Sequence, residues 1–259
     1  MAKSSVVKKT KEKRAPTLEV ASVLEAPASQ LVREEWLRRV EAEYQSAAIT
    51  HHLVLWLIQI GSSPDLIRAG LRIVDDELVH SELSFEAYLA ARGGGSPALP
   101  RETLQLGRDT KVPLEVDVTR CLVNTFCIGE TVAVPLFTQL RAGCKVPAAR
   151  RVLDRVLQDE VRHRDFGWTG LEYLLGLSIA PAVRTLVQRE LPAFFGRVRL
   201  IYGEHAKEHD TIAPEDRAWG LMPPSEYAAV VERTLTRDWV PRFGALGIDA
   251  QAAWNSAVV

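Results

Sequence analysis

Two short strings constrain this chain more than any other feature: Asp76-Glu77-Leu78-Val79-His80 and Asp159-Glu160-Val161-Arg162-His163. Each lies in a strongly helical stretch and sets a Glu and a His three residues apart, so both side chains leave one helix face. Among only six His residues a single Glu-x-x-His is weak evidence. Two copies, each with Asp directly before the Glu, are hard to assign to chance. A carboxylate and an imidazole on one face, twice over, are the inward-pointing pairs from which helix bundles build metal sites.

The rest of the chain supplies helices to carry them. A helical, amphipathic pattern runs from about Ser29 to Ile60, with Gly61 where a helix end favours glycine. Ser63-Pro64 gives an N-cap and a first-turn proline for a second helix reaching about Arg92, stopped by Gly93-Gly94-Gly95. A third spans about Glu115 to Ala142, with a kink expected at Pro135, and a fourth runs from about Pro147 to Leu175. Each is roughly 45 Å long. The short joints at Gly61–Ser63 and Gly143–Val146 make two antiparallel hairpins. The segment from Gly93 to Pro113 can extend to roughly 65–70 Å, enough to cross from one end of the helices to the other. An all-α, four-helix bundle with one long crossover is expected over residues 29–176, with further helices over 177–259.

Glu43, Glu77, Glu130 and Glu160 each fall near the middle of their own helix, and so at one level of such a bundle. Four ionised carboxylates buried together repel one another, and even one unpaired buried charge costs several kcal/mol. Two divalent cations neutralise them, and the neutral imidazoles of His80 and His163 complete the donor set. Oxygen and nitrogen donors without thiolate suit iron first and manganese next. The expected ligands are thus Glu43, Glu77, His80, Glu130, Glu160 and His163, with Glu41 the alternative to Glu43. Glu130 is the more telling acid, because Cys121–Phe137 around it is otherwise apolar.

With these residues the chain resembles the ferritin-like di-iron carboxylate superfamily over about residues 30–176. It is similar to small bacterial ferritin-like domain proteins, which carry a first-helix Glu followed by a small residue and Asp-Glu-x-x-His in the second and fourth helices. The Asp159–His163 string is also similar to that of bacterial multicomponent monooxygenase hydroxylases; in Asp76–His80, Val79 stands where those enzymes have Arg. The resemblance implies two iron ions. It also implies that Asp76 hydrogen-bonds His163 and Asp159 hydrogen-bonds His80 across the bundle, the alternative being two solvated helix acids. Asp75 is expected in solvent.

Other residues are weaker candidates. Cys127, one α-helical turn before Glu130, is expected to line the cavity with Phe126 and Phe137, as a packed thiol rather than a redox group. His51 and His52 follow Glu43 by two turns, one expected packed and the other solvated. Glu204, His205, Glu208 and His209 have metal-compatible spacing but read better as a solvent-facing helix end. A fifth helix, about Pro181 to Lys207 and interrupted at Pro192, and a segment with Trp219, Trp239 and Trp254 would cover the site or form a homodimer interface. Residues 1–28, with Lys8, Lys9, Lys11, Lys13 and Arg14, read as a disordered basic tail.

Composition narrows the function classes. A net charge of −1 gives no general reason to expect nucleic acid or an anionic membrane as partner. No uninterrupted apolar stretch reaches about 18 residues, so no membrane span is expected. Three cysteines without metal spacing read as reduced thiols in a cytoplasmic protein. The leading expectation is an oxygen-activating oxidoreductase that uses dioxygen or peroxide on a small organic substrate, with the electron donor unspecified. The alternatives are ferrous iron oxidation and storage or peroxide detoxification, and a non-enzymatic scaffold with a structural metal site.

Overall fold

A computed structural model describes residues 28–203 and 211–257. The tail over residues 1–27 and the Glu204, His205, Glu208 and His209 cluster lie outside the described residues. Ala28, expected in the tail, is instead buried, and its carbonyl accepts a hydrogen bond from Arg33. Among the described residues all regular structure is helical.

Four long helices come first: α1 (Gln30–Gln59), α2 (Pro64–Ala90), α3 (Leu114–Gly143) and α4 (Pro147–Leu175). The starts of α1 and α2 follow from local chemistry. Ser29 Oγ accepts from the Val32 N–H at 3.1 Å and Ser63 Oγ from the Leu66 N–H at 3.4 Å, each satisfying a donor that the first turn leaves free. Gly61, at φ +74°, makes the turn between them without the penalty a Cβ carries there.

Contacts along the helices fix their directions. Ser81 donates to the Val40 carbonyl while Val54 packs at Gly70, so α1 and α2 are antiparallel. Trp168 reaches Thr131 and Arg141 reaches Asp154, so α3 and α4 are antiparallel. His80 meets Asp159 while Glu86 meets Arg151, so α2 and α4 are antiparallel as well. It follows that α3 runs parallel to α2, and the chain between them must travel the length of the helices. Along that path the Ala98 N–H donates to Glu41 at 2.7 Å, and further on the Leu106 N–H donates to His52 Nδ1 at 3.0 Å.

α3 departs from regular winding. Residues Leu122–Glu130 are π-helical, between α-helical Leu114–Cys121 and Thr131–Gly143, and the helix continues through Pro135. The irregularity expected at Pro135 therefore has a marked counterpart one to three turns earlier, where the sequence contains no proline. α3 also approaches α4 closely: a Cβ on Gly167 would lie 2.4 Å from Phe126 Cβ and 2.9 Å from the Cys127 backbone nitrogen. By length and composition α3 is long and apolar enough to cross a membrane, which the test for an uninterrupted apolar run missed because Asn124, Thr125 and Glu130 break it. Its most apolar window is 56 % buried within this protein, which accounts for its apolarity by packing.

The remaining helices are α5 (Ala180–Gly203), α6 (Pro214–Ala218), α7 (Pro224–Thr234), α8 (Val240–Ala245) and α9 (Ala250–Asn255), with π-helical Leu235–Trp239 joining α7 to α8. α5 is not interrupted at Pro192 but passes through it. The lost hydrogen bond is offset by burial on both sides, of Leu191, Phe194 and Phe195. These helices pack on the first four. The Trp36 indole donates to the Trp219 carbonyl at 3.2 Å, and the Trp239 indole to the Cys127 carbonyl at 3.1 Å, tying the C-terminal part to α1 and to the π-helical turns. Phe195, Trp239 and Trp254 form an aromatic cluster between them.

Candidate metal centre

The antiparallel pairing of α2 with α4 brings the two strings face to face. The His80 and His163 rings lie 5.7 Å apart between centroids, both fully buried. They are held alike. His80 Nε2 is 3.0 Å from Asp159 Oδ2, and His163 Nε2 is 3.4 Å from Asp76 Oδ2, so each ring nitrogen on that side faces the aspartate of the opposite string. Asp75 is exposed.

The other nitrogen of each ring faces carboxylates. His80 Nδ1 is 3.4 Å from Glu77 Oε2 and 4.0 Å from Glu43 Oε2. His163 Nδ1 is 3.4 Å from Glu77 Oε1 and 3.9 Å from Glu160 Oε1. Two sets of donor atoms converge within 4.8 Å, Glu43 with Glu77 and His80, and Glu77 with Glu130 and His163, so either set could hold a metal ion. Glu77 belongs to both. Ser46 Oγ donates to Glu77 Oε1 at 2.8 Å and orients it. Glu160 stands beside Glu130 and His163 without completing either set. Glu41 turns away to the crossover, leaving Glu43 as the α1 acid of the cluster.

The donor atoms fit a metal. Among the described residues Glu77 Oε2, Glu160 Oε2, His80 Nδ1 and His163 Nδ1 are buried without a hydrogen-bond partner. Orphaned buried polar atoms are uncommon, and those of His80, His163 and Glu77, which lie against one another, are atoms that a bound cation could satisfy. Without cations the cluster relieves its charge with protons. Burial, then the neighbouring carboxylates, raises Glu43 and Glu160 well above the usual carboxylate range. Burial and the Glu130 charge bring Glu77 up to about 7. Burial opposes charge on His163, yet its hydrogen bond to Asp76 and the nearby Glu77 and Glu130 raise its pKa.

Behind the histidines the electrostatics reverse. Burial alone would raise the Asp76 carboxyl, but hydrogen bonds with His163 and Arg162 hold it down at about 2. Asp159 is likewise lowered, against its burial, by Arg155 and His80. Arg162 spans the two aspartates, 2.9 Å from Asp76 and 2.6 Å from Asp159, and Arg155 contacts both as well. Both guanidiniums come from α4; the corresponding positions around Asp76 on α2 are Arg72, which is exposed, and Val79, which carries no charge. Sequence reasoning did not assign this clamp. Its signal was present in the Arg at four residues before Asp159 and three after it, both facing the same side of the helix.

A cavity of about 420 Å³ opens onto the carboxylates, between α1 and α3. Its lining includes Glu43, Glu77, Glu130, Glu160 and Phe137, as well as Tyr202 of α5 and Tyr227 of α7, which sequence reasoning did not single out. Phe126 and Cys127, expected there, are elsewhere. Phe126 packs edge-on against Phe166 with centroids 4.9 Å apart, and Cys127 lies fully buried against Gly167. The cause is the winding. In an α-helix Cys127 shares the Glu130 face, but π-helical turns shift the phase, and Thr125 and Gly129 line the cavity instead. All three thiols are free and buried, and burial pushes Cys121 up to about 12 and Cys144 up to about 11. His52 accepts from Leu106 and packs on Trp56 at 5.0 Å, while His51 is exposed.

No protein-family model matches the chain, and no curated protein matches it either.

Proposed function

We propose that this chain is a ferritin-like four-helix bundle whose six residues Glu43, Glu77, His80, Glu130, Glu160 and His163 hold two metal ions, iron before manganese, and that it is an oxygen-activating oxidoreductase acting on a small organic substrate. The observation that carries the reading is the convergence of two orphaned imidazole nitrogens on carboxylates that share Glu77. The parallel run of α2 and α3 supports the bundle topology, which has one long crossover.

Bound at these donors, iron supplies the redox chemistry toward dioxygen, and the protein supplies geometry. Asp76 and Asp159 fix each imidazole with its Nε2–H outward, so that the Nδ1 lone pair faces the cluster. Arg155 and Arg162 keep both aspartates ionised for that role. Ser46 orients Glu77. The cavity gives a small molecule access to the carboxylate end, with Ile49, Leu136, Phe137 and Leu140 the apolar part of a mixed lining. A pocket of this size and lining favours an organic substrate over the storage of inorganic iron.

Stopped-flow absorbance and oxygen uptake of the anaerobically loaded ferrous protein test the proposal. A transient that decays, with renewed uptake on adding a reductant, is expected. Progressive ferric accumulation of many irons per chain would indicate storage instead, and no uptake would leave a structural metal site.

A further inference from the structure

The cavity lining includes a charged group outside the candidate metal ligands. Arg39 lies four residues before Glu43 on α1, about 6 Å away along the axis. Its side chain is only 6 % exposed. Nε donates to Glu35 at 2.9 Å, Nη2 donates to the Gly220 carbonyl at 3.0 Å, and the guanidinium lies over the Trp36 ring, 4.5 Å from its centroid. Those contacts lock the group in place. Nη1 is buried and makes no hydrogen bond of good geometry among the described residues; the Tyr227 hydroxyl, whose pKa burial raises and the guanidinium draws back down, is its polar neighbour, and both residues line the cavity. A fixed guanidinium with an unanswered N–H is a preformed site for an oxygen acceptor.

Charge says which acceptor. Glu35 is shared between the largely exposed Arg38 and the buried Arg39, so the buried guanidinium is only partly neutralised by it. Tyr202 and Tyr227, stacked at 6.0 Å with their planes 11° apart, stand on the same wall. The lining also holds Leu136 and Phe137, six and seven residues past Glu130 on α3, which runs antiparallel to α1 and so extends from the carboxylates toward the Arg39 level.

We infer that the cavity binds a small monocarboxylate, its carboxylate on Arg39 Nη1 and its apolar part directed along Leu136 and Phe137 toward the Glu43–Glu77 end. This deepens the proposed function and rests on it in one respect, that the cavity is the substrate pocket of the metal centre. Arg39 is then a specificity residue, selecting acids over neutral molecules of the same shape.

Calorimetric titration with 3-phenylpropionate and with its neutral counterpart 3-phenylpropanol tests the inference, on metal-loaded and on chelator-stripped protein. The acid should bind in both preparations and more tightly than the alcohol by about ten- to a hundredfold, the range of a charge-assisted hydrogen bond. Arg39→Gln should remove that preference. Because Arg39→Gln also strips Glu35 of a partner, Arg39→Lys is measured beside it and should retain part of the preference. Equal affinity for acid and alcohol in the wild-type protein would overturn the inference without recourse to any variant. So would acid binding that needs metal and ignores Arg39, which would place the carboxylate on the ions. Elemental analysis of the loaded preparation separates the two claims: two metals without acid preference refute the Arg39 anchor alone, and acid preference in protein that takes up no metal on loading refutes the metal centre alone.

Discussion

Replacing Glu77 by Gln should stabilise the metal-free protein at alkaline pH and weaken metal binding at the same time. The substitution keeps the volume and leaves a carbonyl oxygen for the Ser46 hydroxyl, now 2.8 Å from Glu77 Oε1. It removes a charge that the folded state tolerates poorly. Burial and the Glu130 carboxylate raise Glu77 from 4.5 to about 7, so between those values the folded protein holds a proton that the unfolded chain has released. Folding stability therefore falls as pH rises through that window, and the loss is complete above about pH 7. At about 1.36 kcal/mol per pH unit the loss is roughly 3 kcal/mol. For a chain of this size that corresponds to a rise in Tm of roughly 6–12 °C for the variant at pH 8. At pH 5 the gap should nearly close, since the wild-type carboxyl is then mostly protonated. Thermal melts of both chelator-stripped proteins at pH 5 and pH 8 measure it. A variant that is destabilised at pH 8, or shifted equally at both pH values, would refute the claim that repulsion in the carboxylate cluster sets this stability.

Further expectations follow from other parts of the site. Asp159→Asn removes the carboxylate that orients His80 and should weaken binding of one metal by about 10–100-fold in a competitive chelator titration, while leaving the helical circular-dichroism signal intact; unchanged affinity would make Asp159 structural only. Gly167→Ala forces a methyl against Phe126 and the Cys127 backbone and should cost roughly 1–3 kcal/mol in urea unfolding, with no pH dependence; a neutral substitution would mean that α3 and α4 can separate freely there. Ferrous iron should abolish the alkaline destabilisation of the wild-type protein, and Tm measured with and without metal at pH 8 should differ more than at pH 5.

The helices were legible because their signals are local. Ser29, Ser63 and Gly61 cap or turn the chain where they stand, and the two Asp-Glu-x-x-His strings share a face by helical spacing alone. The arrangement of Glu43, Glu77, His80, Glu130 and His163 followed from where these residues fall along helices of similar length. What escaped the sequence depends on winding and on distant packing. Nothing in Leu122–Glu130 announces π-helical turns, so Phe126 and Cys127 were assigned to a face they do not occupy. Pro192 was read as a break because its local cost is visible, whereas the burial of Leu191 and Phe195 that offsets it is not. Tyr202 and Tyr227 reach the cavity from helices whose docking no local pattern encodes, and Arg39 gains its importance from Trp36, Glu35 and Gly220 together.

The central claim is a two-metal centre, and the direct measurement is metal content. Protein loaded anaerobically with excess ferrous iron, desalted and assayed for iron by elemental analysis, should carry about two ions per chain, as a paired Glu-x-x-His ligand set requires. His80→Ala and His163→Ala should each lose about one. One ion or none in the wild-type protein, or two ions retained in both variants, would contradict the assignment of these residues as the ligands.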